Sequence, residues 1–182
     1  MVQHKDQRVG IFVDVQNLYY SARSLYGAKV NFKEILKEAV KGRNLIRAIA
    51  YVIKADVKDE KNFFDALSKI GYEVRAKDLQ IFPGGQKKGD WDIGIAMDSI
   101  EQAQKLDTIV LISGDGDFVP LVQHLRRALG CRVEGIAFGS SCAGKLKDEL
   151  DLFVDLDKNT RRYLIRRIRR EPENVAPQQP KL

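Results

Sequence analysis

Residues 108–113 (TIVLIS) decide the fold, and residues 114–118 (GDGDF) follow them directly. A short run of uncharged, largely β-branched residues predicts a strand that is buried on both faces of a sheet. Strands of this kind are typical of parallel sheets whose faces are covered by helices. The two aspartates of GDGDF therefore stand at the carboxyl end of a strand, which is where open parallel sheets bind their ligands.

Five further short apolar runs alternate with longer segments of helical periodicity on both sides of this strand. The six predicted strands are residues 8–14, 45–53, 73–82, 108–113, 132–138 and 152–156. The predicted helices between them are residues 17–26, 32–40, 59–70, 90–105, 117–129 and 143–150. Strands separated by helices of this length form βαβ units, so the sequence predicts an α/β fold with a mostly parallel sheet.

Apolar spacing also predicts which side of each helix faces the core. In the helix predicted at residues 90–105, the apolar side chains recur three or four residues apart at Ile93, Ala96, Met97 and Ile100. We expect these four side chains to pack against the sheet.

Length and composition indicate one globular domain, predicted over residues 1–157. The chain has 182 residues, of which 44% are apolar and 31% are charged, which is typical of globular rather than disordered chains. No apolar run approaches the roughly 20 residues that span a bilayer, and the polar N-terminus lacks a signal-peptide core. We therefore expect a cytoplasmic protein with no membrane partner, and a homo-oligomer is compatible with these patterns.

Positive charge is concentrated near the C-terminus. The net charge is +6 for the whole chain and +7 for residues 158–170 (KNTRRYLIRRIRR), which leaves −1 for the remainder. Leu164, Ile165 and Ile168 form an apolar stripe in this segment, so we predict a basic helix that docks by the stripe and presents arginines to phosphates. A solvated terminal helix or a partner-binding peptide fits the pattern equally well. Residues 171–182, with three prolines, are expected to be disordered.

The cysteines and histidines do not indicate a catalytic or zinc site. Neither Cys131 and Cys142 nor His4 and His124 have a zinc-ligand spacing. Cys131 opens a predicted strand and is expected in the core, whereas Cys142, in a Gly/Ser-rich loop, is expected to be more exposed.

Acidic residues follow two of the predicted strands. Asp14 ends the first strand and is followed by Asn17, while Asp115 and Asp117 follow TIVLIS. If the two strands are neighbours, these carboxylates converge, and their mutual repulsion raises their pKa values. A hard divalent cation such as Mg²⁺ or Mn²⁺ relieves that repulsion, so we predict a metal site at this edge of the sheet.

Asp117 also has a purely structural interpretation. It stands where it can cap the helix that continues through Phe118 and Pro120. The second acid two residues earlier, at a strand end, favours a functional site over a cap alone.

A third acidic segment, residues 87–92 (KKGDWD), opens the predicted helix at residues 90–105. Asp90 and Asp92 both suit a helix start, as an N-cap or as a partner of the helix dipole. Asp98 lies about 120° around the helix axis from Asp92 and about 9 Å along it, so both cannot easily reach one metal. We therefore assign Asp98 a supporting role.

Taken together, four motifs in a fixed order resemble the NYN domain, in its LabA-like branch of the PIN-like nuclease superfamily. They are VDVQN at 13–17, KKGDWDIGIAMD at 87–98, VLISGDGDF at 110–118 and LKDELDLFVDL at 146–156. The resemblance implies a three-layer α/β/α sandwich and metal-dependent cleavage of RNA. It matches Asp14, Asp92, Asp115 and Asp117 to the family's acidic cluster, and so favours Asp92 over Asp90.

The same resemblance matches Asn17 to the family's asparagine and Asp98 to a further acidic position. Gly116 stands where the family often has serine, which removes a hydroxyl group and keeps the turn. Gly94 is unfavourable within a helix by about 1 kcal/mol relative to alanine, which suggests close packing near the site.

The main hypothesis is a Mg²⁺- or Mn²⁺-dependent ribonuclease in which Asp14, Asp92, Asp115 and Asp117 hold the metal and carry the catalysis. The expected supporting residues are Asn17, Asp98 and Ser113. Single-stranded RNA is the expected partner, and its expected contacts are Lys87, Lys88, Arg161, Arg162, Arg166 and Arg167. The alternative is an RNA-binding or regulatory module that keeps the site but cleaves little or nothing.

Two other classes of α/β protein are disfavoured. A haloacid-dehalogenase-type phosphohydrolase needs a second acid two residues after Asp14, and Gln16 stands there. A nucleotide-binding protein of the Rossmann or P-loop type needs a glycine-rich phosphate motif after a strand, and no strand here is followed by one.

Overall fold

Six parallel strands form the central sheet, and the N-terminal strand lies near its middle. A computed structural model describes residues 4–54, 60–81 and 87–165 of the chain. In chain order its strands are β1 (Arg8–Asp14), β2 (Lys29–Val30), β3 (Asn44–Lys54), β4 (Glu73–Asp78), β5 (Gln80–Ile81), β6 (Lys87–Lys88), β7 (Thr108–Ile112), β8 (Arg132–Ala137), β9 (Leu152–Asp155) and β10 (Leu164–Ile165). The order across the sheet is β4, β3, β1, β7, β8, β9, and every neighbouring pair is parallel.

Helices cover both faces of this sheet. In chain order they are α1 (Val15–Tyr26), α2 (Phe32–Val40), α3 (Glu60–Ile70), α4 (Asp92–Ala103), α5 (Val119–Arg127), α6 (Gly144–Glu149) and α7 (Thr160–Tyr163). Ile11 and Val13 of β1 pack into a core formed with α1, α2 and α3, whereas Phe12 packs into a second core formed with α4, α5 and α6. Because alternate residues of a strand point to opposite faces, one strand serves both cores, and the predicted three-layer α/β/α sandwich is confirmed.

All six predicted strands are present, and the third is shorter than predicted. It ends at Asp78 instead of residue 82, and Gln80–Ile81 pair with Lys87–Lys88 in a separate antiparallel ribbon. β4 lies at the edge of the sheet and carries exposed charged residues, so little apolar burial extends it further.

The predicted core face of α4 is wrong at two of its four positions. Ile93 is 77% exposed and Met97 is 62% exposed, whereas Ile95, Ser99 and Ala103 are buried. A helix with many apolar residues offers more than one apolar stripe. The stripe that contains the small residues Ser99 and Ala103 packs on the sheet because it allows a close approach to the strands.

The helix predicted over residues 158–170 is wrong at Leu164–Ile165, which form a strand. A 3₁₀ turn at Leu156–Asn159 and α7 are helical, but Leu164–Ile165 form β10, which pairs antiparallel with β2. This pairing satisfies backbone groups of both strands, and Tyr163 and Leu164 are buried in the core beside α1 and α2. Residues 166–170 and the predicted disordered tail at 171–182 lie outside the described residues.

None of the helices in the described ranges is both long and apolar enough to cross a lipid bilayer.

Candidate metal centre

The carboxyl ends of β1 and β7 lie side by side because the two strands are adjacent and parallel. Val13 pairs with Ile112, so Asp14 and Ser113 occupy the next position of each strand. Ser113 Oγ donates a hydrogen bond to Asp14 Oδ2 at 3.2 Å. The sequence predicted that the carboxylates converge if these two strands are neighbours. The two strands are neighbours, so that condition is met.

Asp14 both ends β1 and caps α1. Its Oδ1 accepts a hydrogen bond from the backbone nitrogen of Asn17 at 3.0 Å. Burial raises the pKa of Asp14 and the charge of Asp115 raises it further, while hydrogen bonds from Asn17 and Ser113 oppose the rise. Asp14 is thus held in a fixed position and adds negative charge to this edge of the sheet.

The loop after β7 is held by hydrogen bonds between backbone nitrogens and side chains. The Gly114 nitrogen donates to Asn17 Oδ1 at 2.9 Å, and the Asp115 nitrogen donates to Ser113 Oγ at 3.2 Å. Asp115 Oδ1 accepts from the Asp117 nitrogen at 2.9 Å and so caps a 3₁₀ turn over Gly116–Phe118. The cap is therefore Asp115 and not Asp117, because this turn precedes α5 and moves the helical start towards β7.

This loop packs closely against residues 141–143. A Cβ atom on Gly114 would lie 3.1 Å from Cys142 Cα, and one on Gly116 would lie 3.1 Å from Ala143 Cβ. The Ala143 nitrogen donates to the Gly114 oxygen at 3.0 Å. Cys142 is slightly more exposed than Cys131, at 9% against 5%, but both cysteines are buried, because the loop of Cys142 packs against the end of β7.

Trp91 fixes the start of α4, where Asp92 is the first residue. Trp91 Nε1 donates to the Val52 oxygen at 2.8 Å, and its ring packs against Tyr51 with 5.3 Å between the ring centroids. The ring also lies over Gly94, where an added Cβ would be only 2.5 Å from a ring carbon. These contacts set the position from which the Asp92 side chain extends.

Neither Asp90 nor Asp92 is the N-cap of α4. The N-cap is Trp91, which makes no side-chain capping bond. The capping role that the sequence offered to these two carboxylates is therefore absent. Asp92 lies in the first turn of α4, where its charge is favourable to the helix dipole, and its carboxylate also belongs to the cluster at the strand ends.

Three carboxylates meet at this edge. Asp92, Asp115 and Asp117 each contribute one oxygen, and these oxygens all lie within 4.8 Å of one another. Burial, followed by the charges of Asp14, Asp90, Asp115 and Asp117, raises the pKa of Asp92 to about 6. Oxygen donors that repel one another, without a basic ion-pair partner among the described side chains, fit a hard divalent cation such as Mg²⁺ or Mn²⁺.

Asp98 lies apart from this cluster and has two partners of its own. Tyr51 Oη donates to it at 2.6 Å, and Arg75 forms an ion pair with it. Since Tyr51 packs against Trp91, Asp98 is connected to the start of α4 through two aromatic rings. This place suits the supporting role that the sequence assigned to Asp98.

Arg162, a predicted RNA contact, is bonded within the fold. Its Nε lies 3.1 Å from a Glu34 oxygen and its Nη1 lies 2.7 Å from a Glu38 oxygen. These ion pairs tie the C-terminal segment to α2. The neighbouring Arg161 is exposed and has no ion-pair partner among the described residues.

The other predicted RNA contacts are placed only in part. Lys87 and Lys88 form β6, a few residues before Asp92 in the chain. Arg166 and Arg167 lie outside the described residues.

Three residues that contact Asp98 or fix the start of α4 were not singled out from the sequence: Tyr51, Arg75 and Trp91. A signal existed for two of them, because Tyr51 carries a polar tip near the end of an apolar strand and Trp91 stands between two aspartates. Arg75 could not be found in this way, since its partner depends on which strand lies beside β3.

Comparison with known proteins agrees with this architecture. The NYN domain family matches residues 8–157. The low amplitude and bright protein LabA of Synechococcus elongatus is 30% identical over 181 residues, which cover 95% of this chain and 96% of that protein. The crystal structure of a protein of unknown function from Vibrio parahaemolyticus has a TM-score of 0.81 and 32% identity, and the match covers 91% of this chain and 100% of that one. This chain therefore belongs to the NYN domain family, in its LabA-like branch of the PIN-like nuclease superfamily.

Proposed function

We propose that this protein is a metal-dependent ribonuclease that hydrolyses phosphodiester bonds of single-stranded RNA in the cytoplasm. The observation that supports this function is the approach of Asp92, Asp115 and Asp117, of which one carboxylate oxygen each lies within 4.8 Å of the others. A cluster of this kind is unfavourable by itself, because burial and neighbouring charges raise the pKa of Asp92 to about 6. Its chemistry is that of a metal-binding site rather than of a stabilising interaction.

Asp92, Asp115 and Asp117 are the residues that would hold Mg²⁺ or Mn²⁺. When bound, the metal supplies an activated water and neutralises charge on the phosphate. We keep Asp14 as a fourth candidate ligand, because a carboxylate oxygen has two lone pairs and can accept a hydrogen bond while it binds a cation. Asp14 also adds the negative charge that draws a cation to this edge.

Asn17 and Ser113 would orient the groups around the reacting phosphate. Asn17 Oδ1 accepts from the Gly114 nitrogen, which directs its amide NH₂ group away from that loop as a donor for a phosphate oxygen or a water. Ser113 Oγ links Asp14 to the Asp115 backbone and so sets the spacing of two acidic segments. Lys87 and Lys88, together with Arg161, are the proposed cationic contacts to the RNA backbone.

The experiment that tests this function measures cleavage of single-stranded and structured RNA by purified protein with Mg²⁺, with Mn²⁺ and with EDTA. The variants are Asp92→Asn and Asp115→Asn, which keep the size of the side chain. Asp65→Asn on α3 is the matched control. Asp65 is exposed and distant in sequence from the cluster, and this variant removes the same charge as the site variants do. We expect the wild type and Asp65→Asn to cleave equally with metal, and the two site variants to lose most of the activity.

Metal binding is measured separately, by Mn²⁺ titration and by the rise in melting temperature that Mn²⁺ causes. Wild type and Asp65→Asn should bind, and the two site variants should bind more weakly. Equal cleavage by wild type and site variants would assign the activity to a contaminant and reject the proposal. Binding of RNA and metal without any cleavage would support the alternative of a regulatory module.

A further inference from the structure

The exposed side of α1 carries aromatic side chains that the metal centre does not use. Four of the eight exposed large apolar side chains in the described residues lie on this helix, namely Tyr19, Tyr20, Leu25 and Tyr26. Tyr26 has a structural role, since its hydroxyl group donates to Asp157 at 2.6 Å and its ring packs against Phe138. Tyr19 and Tyr20, at 42% and 57% exposed, remain without a comparable contact to another part of the described chain.

These two tyrosines stand close to the metal centre along the helix. α1 begins directly after Asp14, and Asn17 in its first turn is bonded to Gly114. Residues three apart on a helix lie about 60° apart around the axis and about 4.5 Å apart along it. Asn17, Tyr20 and Arg23 therefore form one row that leads away from the carboxylates.

Tyr20 and Arg23 of this row are held by contacts with the neighbouring Tyr19 before any ligand binds. The rings of Tyr19 and Tyr20 meet edge to face, with 5.5 Å between their centroids and an angle of 74°. Arg23 Nη1 donates to Tyr19 Oη at 3.2 Å, which holds the guanidinium group beside the rings. Arg23 has no ion-pair partner among the described residues, so its other N–H groups are available to an anion.

We propose that Tyr19, Tyr20 and Arg23 form a subsite that binds the unpaired bases and the adjoining phosphate of an RNA strand entering the metal centre. We call these three residues the α1 subsite, and the inference rests on the proposed ribonuclease function. Exposed aromatic rings stack on the faces of unpaired bases, and a guanidinium group binds phosphate. Bases inside a duplex are already stacked on each other, so the subsite selects single-stranded RNA.

The positive charge of the exposed Arg23 favours an anionic occupant over an apolar partner. The nearby carboxylates repel a polyanion, so an RNA strand needs cationic and stacking contacts beside them in order to bind. Arg162 is already paired with Glu34 and Glu38 and is not free for that purpose. Arg23 lies on the helix that starts at the centre itself, and it is exposed.

The test measures binding of a fluorescein-labelled RNA of about 12 nucleotides, as a single strand and as a duplex with its complement, by fluorescence anisotropy. All proteins carry Asp115→Asn, so that RNA bound in Mg²⁺ stays intact, which a gel verifies. Tyr20→Ala should weaken single-strand binding on the order of tenfold, and Tyr19→Ala with Tyr20→Ala should weaken it further. Tyr20→Phe should bind nearly as tightly as the parent protein, because it keeps the ring.

Leu25→Ala is the matched control, since Leu25 is exposed on the same helix about 140° around the axis from Tyr20. It should leave RNA affinity unchanged. Arg23→Gln should weaken binding of single strands and duplexes alike and should reduce the dependence of binding on salt. Circular dichroism confirms that each variant is folded, which we expect because the side chains substituted on α1 are exposed and all proteins compared share the same Asp115→Asn change.

Unchanged single-strand affinity of the double tyrosine variant overturns the α1 subsite, as does an equal loss of single-strand and duplex binding. A change of sedimentation coefficient without a change of RNA affinity would show that a second copy of the chain occupies this face, and it overturns the inference as well. The outcome is separable from the proposed function: cleavage by wild type with unaffected binding rejects only the subsite. Tyrosine-dependent binding without cleavage rejects only the nuclease.

Discussion

The indole ring of Trp91 occupies the space that any side chain at Gly94 would need. An added Cβ would lie 2.5 Å from Cε3 of the ring, closer than any van der Waals contact allows. Glycine weakens a helix, but here it makes room for the tryptophan that precedes Asp92. The two residues together determine where α4 begins and therefore where its first carboxylate lies.

Replacing Gly94 by alanine should therefore destabilise the protein, although helix propensity alone favours alanine by about 1 kcal/mol. The new Cβ displaces the Trp91 ring and breaks its hydrogen bond to Val52, so we expect a net loss of about 1–3 kcal/mol in the free energy of unfolding. Mn²⁺ affinity should fall as Asp92 moves. Urea unfolding and Mn²⁺ titration measure the two effects. Gly144→Ala is the control, because nothing lies within 4 Å of a Cβ at that glycine, and a loss of equal size there would contradict the explanation.

The metal-free protein should lose stability through Asp92 as the pH rises from about 4 to about 6. The pKa of Asp92 is about 6 in the folded chain and about 3.9 in an unfolded chain. The folded state therefore holds the proton more tightly than the unfolded state does. The stabilisation of the folded state by protonated Asp92 is complete below about pH 4 and is lost above about pH 6. Since the side chain is partly exposed, solvent screening limits the effect to about 1 kcal/mol.

Urea unfolding in EDTA at pH 4.5 and pH 7.5 tests this dependence. Other groups also titrate, so the informative quantity is the difference between wild type and Asp92→Asn, which does not ionise at this position. We expect the variant to lose less stability between the two pH values. A loss of the same size in both proteins would show that the environment of Asp92 does not favour its protonated form.

Two buried serines should respond in opposite ways to replacement by alanine. Ser113 Oγ donates to Asp14 and accepts from the Asp115 nitrogen, so Ser113→Ala removes two hydrogen bonds and should cost about 1–3 kcal/mol of stability. Ser99 Oγ is buried and has no hydrogen-bond partner within the described chain, so Ser99→Ala should be neutral or stabilising. Thermal unfolding of both variants measures the contrast, and equal destabilisation would contradict it.

Of two adjacent arginines in the C-terminal segment, Arg162 should contribute to stability and Arg161 to RNA binding. Arg162→Ala should lower stability by about 1 kcal/mol, because it removes partly exposed ion pairs with Glu34 and Glu38. Arg161→Ala should leave stability unchanged and should weaken RNA binding with a smaller salt dependence. Thermal unfolding and anisotropy at several salt concentrations separate the two effects. A larger loss of RNA affinity in Arg162→Ala than in Arg161→Ala would reverse this assignment.

The strands and their terminal acids were predictable because both signals are local. The TIVLIS run and the aspartates that follow it lie within ten residues of each other, and the same holds for β1 and Asp14. The adjacency of β1 and β7 is non-local, so the convergence of their carboxylates could be stated only as a condition. The ion pair between Arg75 and Asp98 could not be predicted either, because it depends on which strand lies beside β3.

Two predictions, the core face of α4 and the helix at Leu164, were wrong for a different reason. In each case more than one apolar surface or partner competes for the same segment. Ile93 and Met97 repeat at helical spacing as regularly as Ile95 and Ser99 do, and only packing against the sheet decides between the two stripes. The segment that contains Leu164 has helical periodicity, but β2 offers it backbone partners and a buried site. A local sequence pattern does not indicate a pairing partner that lies more than a hundred residues away in the chain, as Val30 does from Leu164.

The central place of the first strand also affects how the chain is made. β1 can pair with β3 soon after both leave the ribosome, but its other partner, β7, begins only at Thr108. At about 5–20 residues per second, synthesis of the intervening chain lasts on the order of 5–20 seconds. One edge of β1, with its row of backbone N–H and C=O groups, stays unpaired in that interval, and such an edge can pair with other chains. We therefore expect nascent chains that end before residue 108 to depend on shielding of this edge, and fragments of that length to aggregate when they are released.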